Sequence, residues 1–169
     1  FDPRKLDISH AKFQEPSDWK RIYGDVKEEL LPNLVEAKMN DIEITVYFDA
    51  SFANDMLTRR STTGIIVFLN STPVKWICKK QNTVEMSTYG SELVACRLAV
   101  EILNEFRIKV RKLGCKLLGS SILLGDNESQ IKNCSLPSSQ LKKKHNAIAY
   151  HRIREIVASE IAKLGHVST

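Results

Sequence analysis

The sequence has no apolar run approaching the roughly 18 residues of a membrane-spanning helix, and its start, FDPRKLDISHAKF, contains no apolar signal core. No membrane association is expected. It has no C-x-x-C pair: Cys78, Cys96, Cys115 and Cys134 are widely spaced, which argues against a disulfide scaffold and against a zinc ribbon. Cys78 and Cys96 fall in apolar patterns and are expected as reduced core or boundary thiols. The four histidines show no H-x3-H spacing. Internal repeats, low-complexity tracts and flexible linkers are also lacking. An initiating Met is missing too, so the expectation is a piece of a longer chain.

What remains is an ordinary globular composition, 43% apolar and 27% charged in 169 residues, enough for one domain with a real core. The net charge is +5. Its distribution says more, because Arg59–Arg60, Lys79–Lys80 and Lys142–Lys144 form three separate basic clusters. Such clusters suit a polyanion, although a solubilising surface would look the same.

Residues 1–40 read as a connector that packs on the rest of the chain. It holds one helical stripe over 18–31 (Trp19, Ile22, Val26, Leu30), ended by Pro32. From residue 41 the period changes. IEITVYFDA (42–50) alternates as a strand, GIIVFL (64–69) is a second, and VKWIC (74–78), after the turn NSTP, is a third. These form an antiparallel meander, with Trp76 expected in the core. A long helix over about 88–112 ends near Gly114. SSILLGD (120–126) is a buried fourth strand feeding a short helix near 127–133, and a second long helix covers 143–164. HVST would then begin a fifth, truncated strand. The order β-β-β-α-β-α-α-β implies an α/β fold with a mixed five-stranded sheet flanked by helices.

Three acids occupy places that packing alone would not choose. Asp49 ends the first strand and Asp126 ends the fourth. Glu92 falls on the apolar stripe of the long helix with Ala95, Ala99, Ile102, Phe106 and Val110, where a bare carboxylate is costly. Each has a simpler explanation: a strand-ending turn for Asp49, a helix cap for Asp126 with Asn127, and the helix dipole for Glu92. Taken together on strand, helix and strand, they can converge, and converging carboxylates need a proton or cations among them. Hard divalent ions accept such oxygen ligands, and two of them suit an in-line phosphoryl displacement.

At these residues the sequence resembles the ribonuclease H domain of copia-type LTR retrotransposon Pol polyproteins. The matching stretches are VYFDASFANDMLTRRSTTGIIVFLN, PVKWICKKQNTVEMSTYGSELVA, LLGDNESQI and LKKKHNAIAYHRIRE, in family order and spacing. YGDVKEELLPN (23–33) is similar to the connector from reverse transcriptase in one lineage. The resemblance implies a ribonuclease H-like fold, with residues 1–40 as connector and 41–169 as the ribonuclease H domain, incomplete at its C-terminal end. It implies endonucleolytic hydrolysis of the RNA strand of RNA–DNA hybrids during reverse transcription, by a two-metal-ion mechanism using Mg2+, for which Mn2+ can substitute.

Asp49, Glu92 and Asp126 would then be catalytic acids and metal ligands. A fourth, an aspartate in an ADIxTK-like stretch past the last strand, is expected beyond Thr169. Its absence leaves open a catalytically impaired, nucleic-acid-binding domain of the same fold. An integrase-like nuclease fits the TRRS and STYGSE segments less well. Substrate contacts are expected from Arg59, Arg60, Ser61, Lys79, Lys80, Gln81, Ser87, Thr88, Asn127 and Lys144. His145 matches a recurrent family position and is the candidate product-release histidine, while His151 reads as structural. The implied partners are an RNA–DNA hybrid and the reverse transcriptase domain of the same polyprotein. The implied location is a cytoplasmic retrotransposon particle, with the nucleus as a second site.

Overall fold

The computed structural model describes residues 4–141 and 144–168. Its centre is a strand, β3 (Ile44–Ser51), whose even-numbered residues Ile44, Val46, Phe48 and Ala50 are buried. β4 (Thr62–Leu69) and β5 (Thr72–Lys80) continue it as the antiparallel meander. The turn between them is tight because Asn70 adopts φ +54°, and its side chain accepts the N–H of Glu43 at 2.9 Å. On the other side of β3 lie β7 (Ser121–Gly125) and β8 (Ala162–His166), both parallel. A parallel pair needs a helical crossover. Here α2 (Thr88–Lys112) leads from β5 to β7, while α3 (Glu128–Ser135) and α4 (Ala147–Ala158) lead from β7 to β8.

α2 spans the meander's inner face. Ser87 caps it by accepting the Gly90 N–H at 3.2 Å, and Gly114, at φ +76°, turns the chain away at its end. Ala95, Cys96 and Ala99 are small and fully buried, which lets the helix lie close on the strands. Arg154 of α4 is buried at the other end of the core. Its guanidinium donates to the carbonyls of Asn133, Leu136, Pro137 and Ser139 and stacks 4.7 Å from the Trp19 ring, so one side chain fixes the loop after α3.

The structure alters several expectations. Among the described residues the sheet has six strands, in the order β1-β8-β7-β3-β4-β5, because Lys12–Phe13 (β1) adds antiparallel to β8. Asp41–Ile42 (β2) leaves the first strand to pair in parallel with Lys116–Leu117 (β6). The helix expected over 18–31 is one turn, α1 (Lys20–Tyr23), stopped by Gly24 at φ +68°. Beyond it, Glu28 turns inward to bridge Arg107 (2.8 Å) and Arg111 (2.6 Å) of α2. α4 ends at Ala158, not at 164: Ser159 folds its hydroxyl onto the Glu155 carbonyl, and Glu160 takes φ +57°. The last strand is therefore Ala162–His166, five residues registered against all of β7, and not a truncated strand beginning at His166. Cys78 is exposed, although all four cysteines are free. Trp76 is 76% exposed instead of packing in the core. The register of β4 against β5 shifts between Val67 and Phe68, and Lys75 and Ile77 of β5 turn inward while Trp76 faces out.

Candidate metal centre

β3 and β7 are parallel neighbours whose last registered pair is Tyr47 with Leu124. Asp49 and Asp126 each lie two residues further on, so both carboxylates leave the same end of adjacent strands. Glu92, at the start of the second turn of α2, comes to the same point from the helix side. One carboxylate oxygen from each of Asp49, Glu92 and Asp126 lies within 4.8 Å of the other two.

The three are not equivalent. Asp49 is exposed and Asp126 half-buried, whereas Glu92 is buried. Glu92 Oε1 accepts the Ala50 N–H at 3.3 Å, and Oε2 has no hydrogen-bond partner among the described residues. Burial, then the charges of Asp126 and Asp49, push its carboxyl up to about 8, against the single opposing N–H. A buried carboxylate oxygen without a donor, aimed among two further carboxylates, fits a hard cation and fits no basic side chain. The donor set is all oxygen, which suits Mg2+ or Mn2+ and not a soft metal.

The cluster rests on a rigid floor. Gly125, immediately before Asp126, lies against the Phe48 ring; a Cβ there would approach Phe48 Cζ to 2.6 Å. Asn127 caps α3 by accepting the Gln130 N–H at 3.0 Å, which sets the chain direction just after Asp126. Gln81 is buried and donates to Thr63 Oγ1 (3.0 Å) and to the Ser91 carbonyl (2.9 Å), tying β4 to the turn of α2 that carries Glu92.

The expected substrate residues divide in the structure. Arg59 and Arg60 are exposed at the end of the loop between β3 and β4. Asp55 shapes that loop by accepting the N–H groups of Leu57 and Thr58, and Lys80 pairs with its other oxygen. Lys79, Thr88 and Lys144 are exposed, while Ser87 and Asn127 are partly so and act as helix caps. Ser61 and Gln81 are buried; Ser61 Oγ accepts the Ala53 N–H at 3.0 Å. These two brace the hairpin and the helix. The side chain of His145, and Lys142 and Lys143, lie outside the described residues. His151 is exposed, with Nδ1 2.7 Å from the Tyr23 hydroxyl, a contact that holds the connector to α4.

One residue beside the site escapes sequence reasoning. His166, at the end of β8, registers opposite Gly125 and places Nε2 3.1 Å from the Asp126 carbonyl oxygen. A carbonyl only accepts, so Nε2 carries the proton in this contact. The alternation of buried Ala162 and Leu164 around exposed Lys163 was the available signal, hidden inside a helical reading of the same residues.

No protein-family model matches the chain. The retrovirus-related Pol polyprotein from transposon RE1 of Arabidopsis thaliana is 32% identical over 132 residues, which is 78% of this chain and 9% of that polyprotein. The chain thus spans about a tenth of the length of the transposon Pol polyproteins it matches. Among solved structures, ribonuclease H1 from the archaeon Halobacterium salinarum NRC-1 superposes with a TM-score of 0.56 at 15% identity, covering 75% of this chain and 86% of that one. LC11-RNase H1 in complex with an RNA/DNA hybrid gives 0.55 at 14% identity, over 75% and 85%. At such identities the structural likeness establishes the fold, and the polyprotein likeness establishes the lineage. The chain is a ribonuclease H-fold domain belonging to the copia-type, retrovirus-related Pol polyproteins of transposons.

Proposed function

We propose that this domain hydrolyses the RNA strand of RNA–DNA hybrids during retrotransposon reverse transcription, endonucleolytically and by a two-metal-ion mechanism. The observation that carries the reading is the convergence of Asp49, Glu92 and Asp126, with Glu92 Oε2 buried and without a donor. Divalent cations held by those oxygens would activate the attacking water and stabilise the departing oxygen of an in-line displacement. The chain's own residues do the rest. Asp49 and Asp126 present carboxylates from the strand ends, and the Ala50 N–H and the Gln81 brace hold Glu92 in place between them. Arg59, Arg60 and Lys79 offer exposed charge to phosphates on either side. Water oxygen attacks phosphorus, the bond from phosphorus to the 3′ oxygen breaks, and the products carry a 5′ phosphate and a 3′ hydroxyl. Preference for RNA would come from 2′-hydroxyls read across a wide, shallow minor groove.

In this proposal residues 1–40 join the reverse transcriptase domain to 41–169, and the setting is a cytoplasmic retrotransposon particle. β1 and the Glu28 bridge support a connector that is seated on the domain.

The test is cleavage of labelled RNA–DNA hybrid with Mg2+ or Mn2+, beside single-stranded RNA, duplex DNA and an Asp126→Asn variant. Cleavage confined to the hybrid and lost in the variant is expected. Hybrid binding without metal-dependent cleavage would reassign the domain to a binding role.

A further inference from the structure

Leu124 stands immediately before Gly125 and Asp126, on the face of the sheet turned away from α2. The register fixes that orientation: its neighbour Leu123 pairs with Val46 of the core, while Leu124 pairs with Tyr47. Leu124 is nevertheless fully buried. Part of its cover comes from the connector. At this level one row crosses β3, β7, β8 and β1 through Tyr47, Leu124, Gly165 and Phe13. Gly165 has no side chain, and the Phe13 ring uses that space. A Cβ at Gly165 would lie 2.7 Å from Phe13 Cε1 and 2.7 Å from Leu124 Cδ2, so these two side chains close over the glycine from either side.

The next row along carries the strand ends themselves, Gly125, His166 and Lys12. There β8 holds β7 by two contacts, from His166 Nε2 to the Asp126 carbonyl at 3.1 Å and from the Val167 N–H to the Gly125 carbonyl at 2.9 Å. On its other edge the end of β8 is paired with β1. β1 is two residues long and exposed at both. So short an edge pairing is weak by itself, and the Phe13 ring over Gly165 is the apolar contact that holds it down.

Resting on the reading of Asp49, Glu92 and Asp126 as a metal centre, we infer that Phe13 is a positioning residue for that centre, acting from the connector through β8 on Asp126. Seated, Phe13 keeps the end of β8 against β7, and so keeps the Asp126 main chain where its carboxylate meets those of Asp49 and Glu92. Unseated, it leaves the last residues of β8 paired on one edge, and the Asp126 end of β7 gains freedom. Outer contacts of this kind set metal affinity without touching the ion. The connector thus has two attachments with different effects. Glu28 meets Arg107, about 22 Å along α2 from Glu92 by helical rise, and secures the connector to the body of the domain. Of the two, β1 is the one that reaches the metal end. Any pull that lifts β1 off β8 weakens the hold on divalent cations, and by linkage metal loading tightens the seat of β1.

The test measures Mn2+ affinity without substrate for wild type, Phe13→Ala, Phe13→Leu and, as control, Glu28→Ala, at a temperature where all are folded. Phe13→Ala is expected to bind Mn2+ at least about threefold more weakly, Phe13→Leu to recover part of the loss, and Glu28→Ala to match wild type. Amide hydrogen exchange gives a second readout: the Val167 N–H should exchange faster in Phe13→Ala, while the amides of α2 keep their rates. Gly165→Ala should weaken Mn2+ binding as well. In the double variant the two losses should fall short of adding, because each parts the ring from β8. Equal Mn2+ affinity in wild type and Phe13→Ala overturns the inference, and so do fully additive losses. A loss in Glu28→Ala as large as that in Phe13→Ala overturns it too, since any loosening of the connector would then have the same effect. If wild type itself binds no Mn2+, the metal-centre reading fails and this inference with it.

Discussion

Glu92 and Ala50 are joined by a single hydrogen bond, from the Ala50 N–H of β3 to Glu92 Oε1 on α2, at 3.3 Å. That bond aims the carboxylate along the sheet toward the ends of β3 and β7, where Asp49 and Asp126 wait. It also leaves the second oxygen buried and unpartnered. The chain therefore carries a site that works against its own folding until positive charge arrives.

This conflict has a measurable sign. Without metal, the folded state holds the Glu92 carboxyl up to about 8, against an ordinary value of 4.5 in the unfolded chain. The folded state then binds the extra proton between those values, so this group's contribution to stability is fully present below about pH 4.5 and is lost as pH rises through 8. The loss should be roughly 2–4 kcal/mol in chelator, read as a drop in the urea midpoint between pH 5 and pH 8. Glu92→Gln should flatten that dependence and abolish metal-dependent cleavage. Added Mg2+ at pH 8 should restore the wild type and leave the variant unchanged.

Gly125 is set by contact with Phe48, not by its backbone angle. A Cβ at that position would press within 2.6 Å of Cζ and 2.7 Å of Cε2 in a ring enclosed by the core. Gly125→Ala should cost about 1–3 kcal/mol and shift the end of β7, and with it Asp126. Urea unfolding gives the first effect and loss of hybrid cleavage the second. Phe48→Leu in the same chain should recover part of the stability, because the two side chains compete for one space.

Glu28 binds the connector to α2 through two arginines. Burial works to raise its carboxyl, yet hydrogen bonds and charge from Arg107 and Arg111 win and hold it at about 2. A depressed carboxyl contributes stability above its ordinary value near 4.5, and that contribution fades as pH falls toward 2. Glu28→Ala leaves Arg107, only 4% exposed at its side chain, without its anion and should cost about 1–3 kcal/mol. The expected readout is faster proteolysis within residues 24–40 at neutral pH, with hybrid cleavage retained.

The part of this molecule legible in its sequence was the part governed by one period at a time. β3 alternates cleanly, so Asp49 could be placed at its end, and α2 keeps its stripe along its length, so Glu92 was visibly out of place. Residues 159–166 were not legible. Ile161 and Leu164 sit three apart and continue the stripe of α4, while the strand they lead into is fixed by pairing with β7, a long-range fact. Trp76 misled for a related reason. Alternation says which residues share a face and not which face is covered, and α2 lies on the other one. The Glu28 bridge joins residues 79 and 83 positions apart, beyond any local pattern.

His166 belongs to that hidden strand. Its Nε2 proton meets the Asp126 carbonyl at 3.1 Å, while the Val167 N–H meets the Gly125 carbonyl at 2.9 Å, so the end of β8 holds the end of β7 at two successive residues. The second bond belongs to the backbone and survives any substitution, whereas the first depends on the side chain. His166→Ala should therefore change global stability by about 1 kcal/mol or less, since one hydrogen bond to a half-buried group is lost. The Asp126 carboxylate, no longer fixed through its own main chain, should bind metal more weakly. Titration with Mn2+ in the absence of substrate should show this as an affinity several-fold below wild type. A glutamine at 166 can present an amide N–H to the same carbonyl and should restore much of the affinity, whereas asparagine, one carbon shorter, should restore less. Equal affinities for wild type and His166→Ala would show that the backbone bond alone positions Asp126.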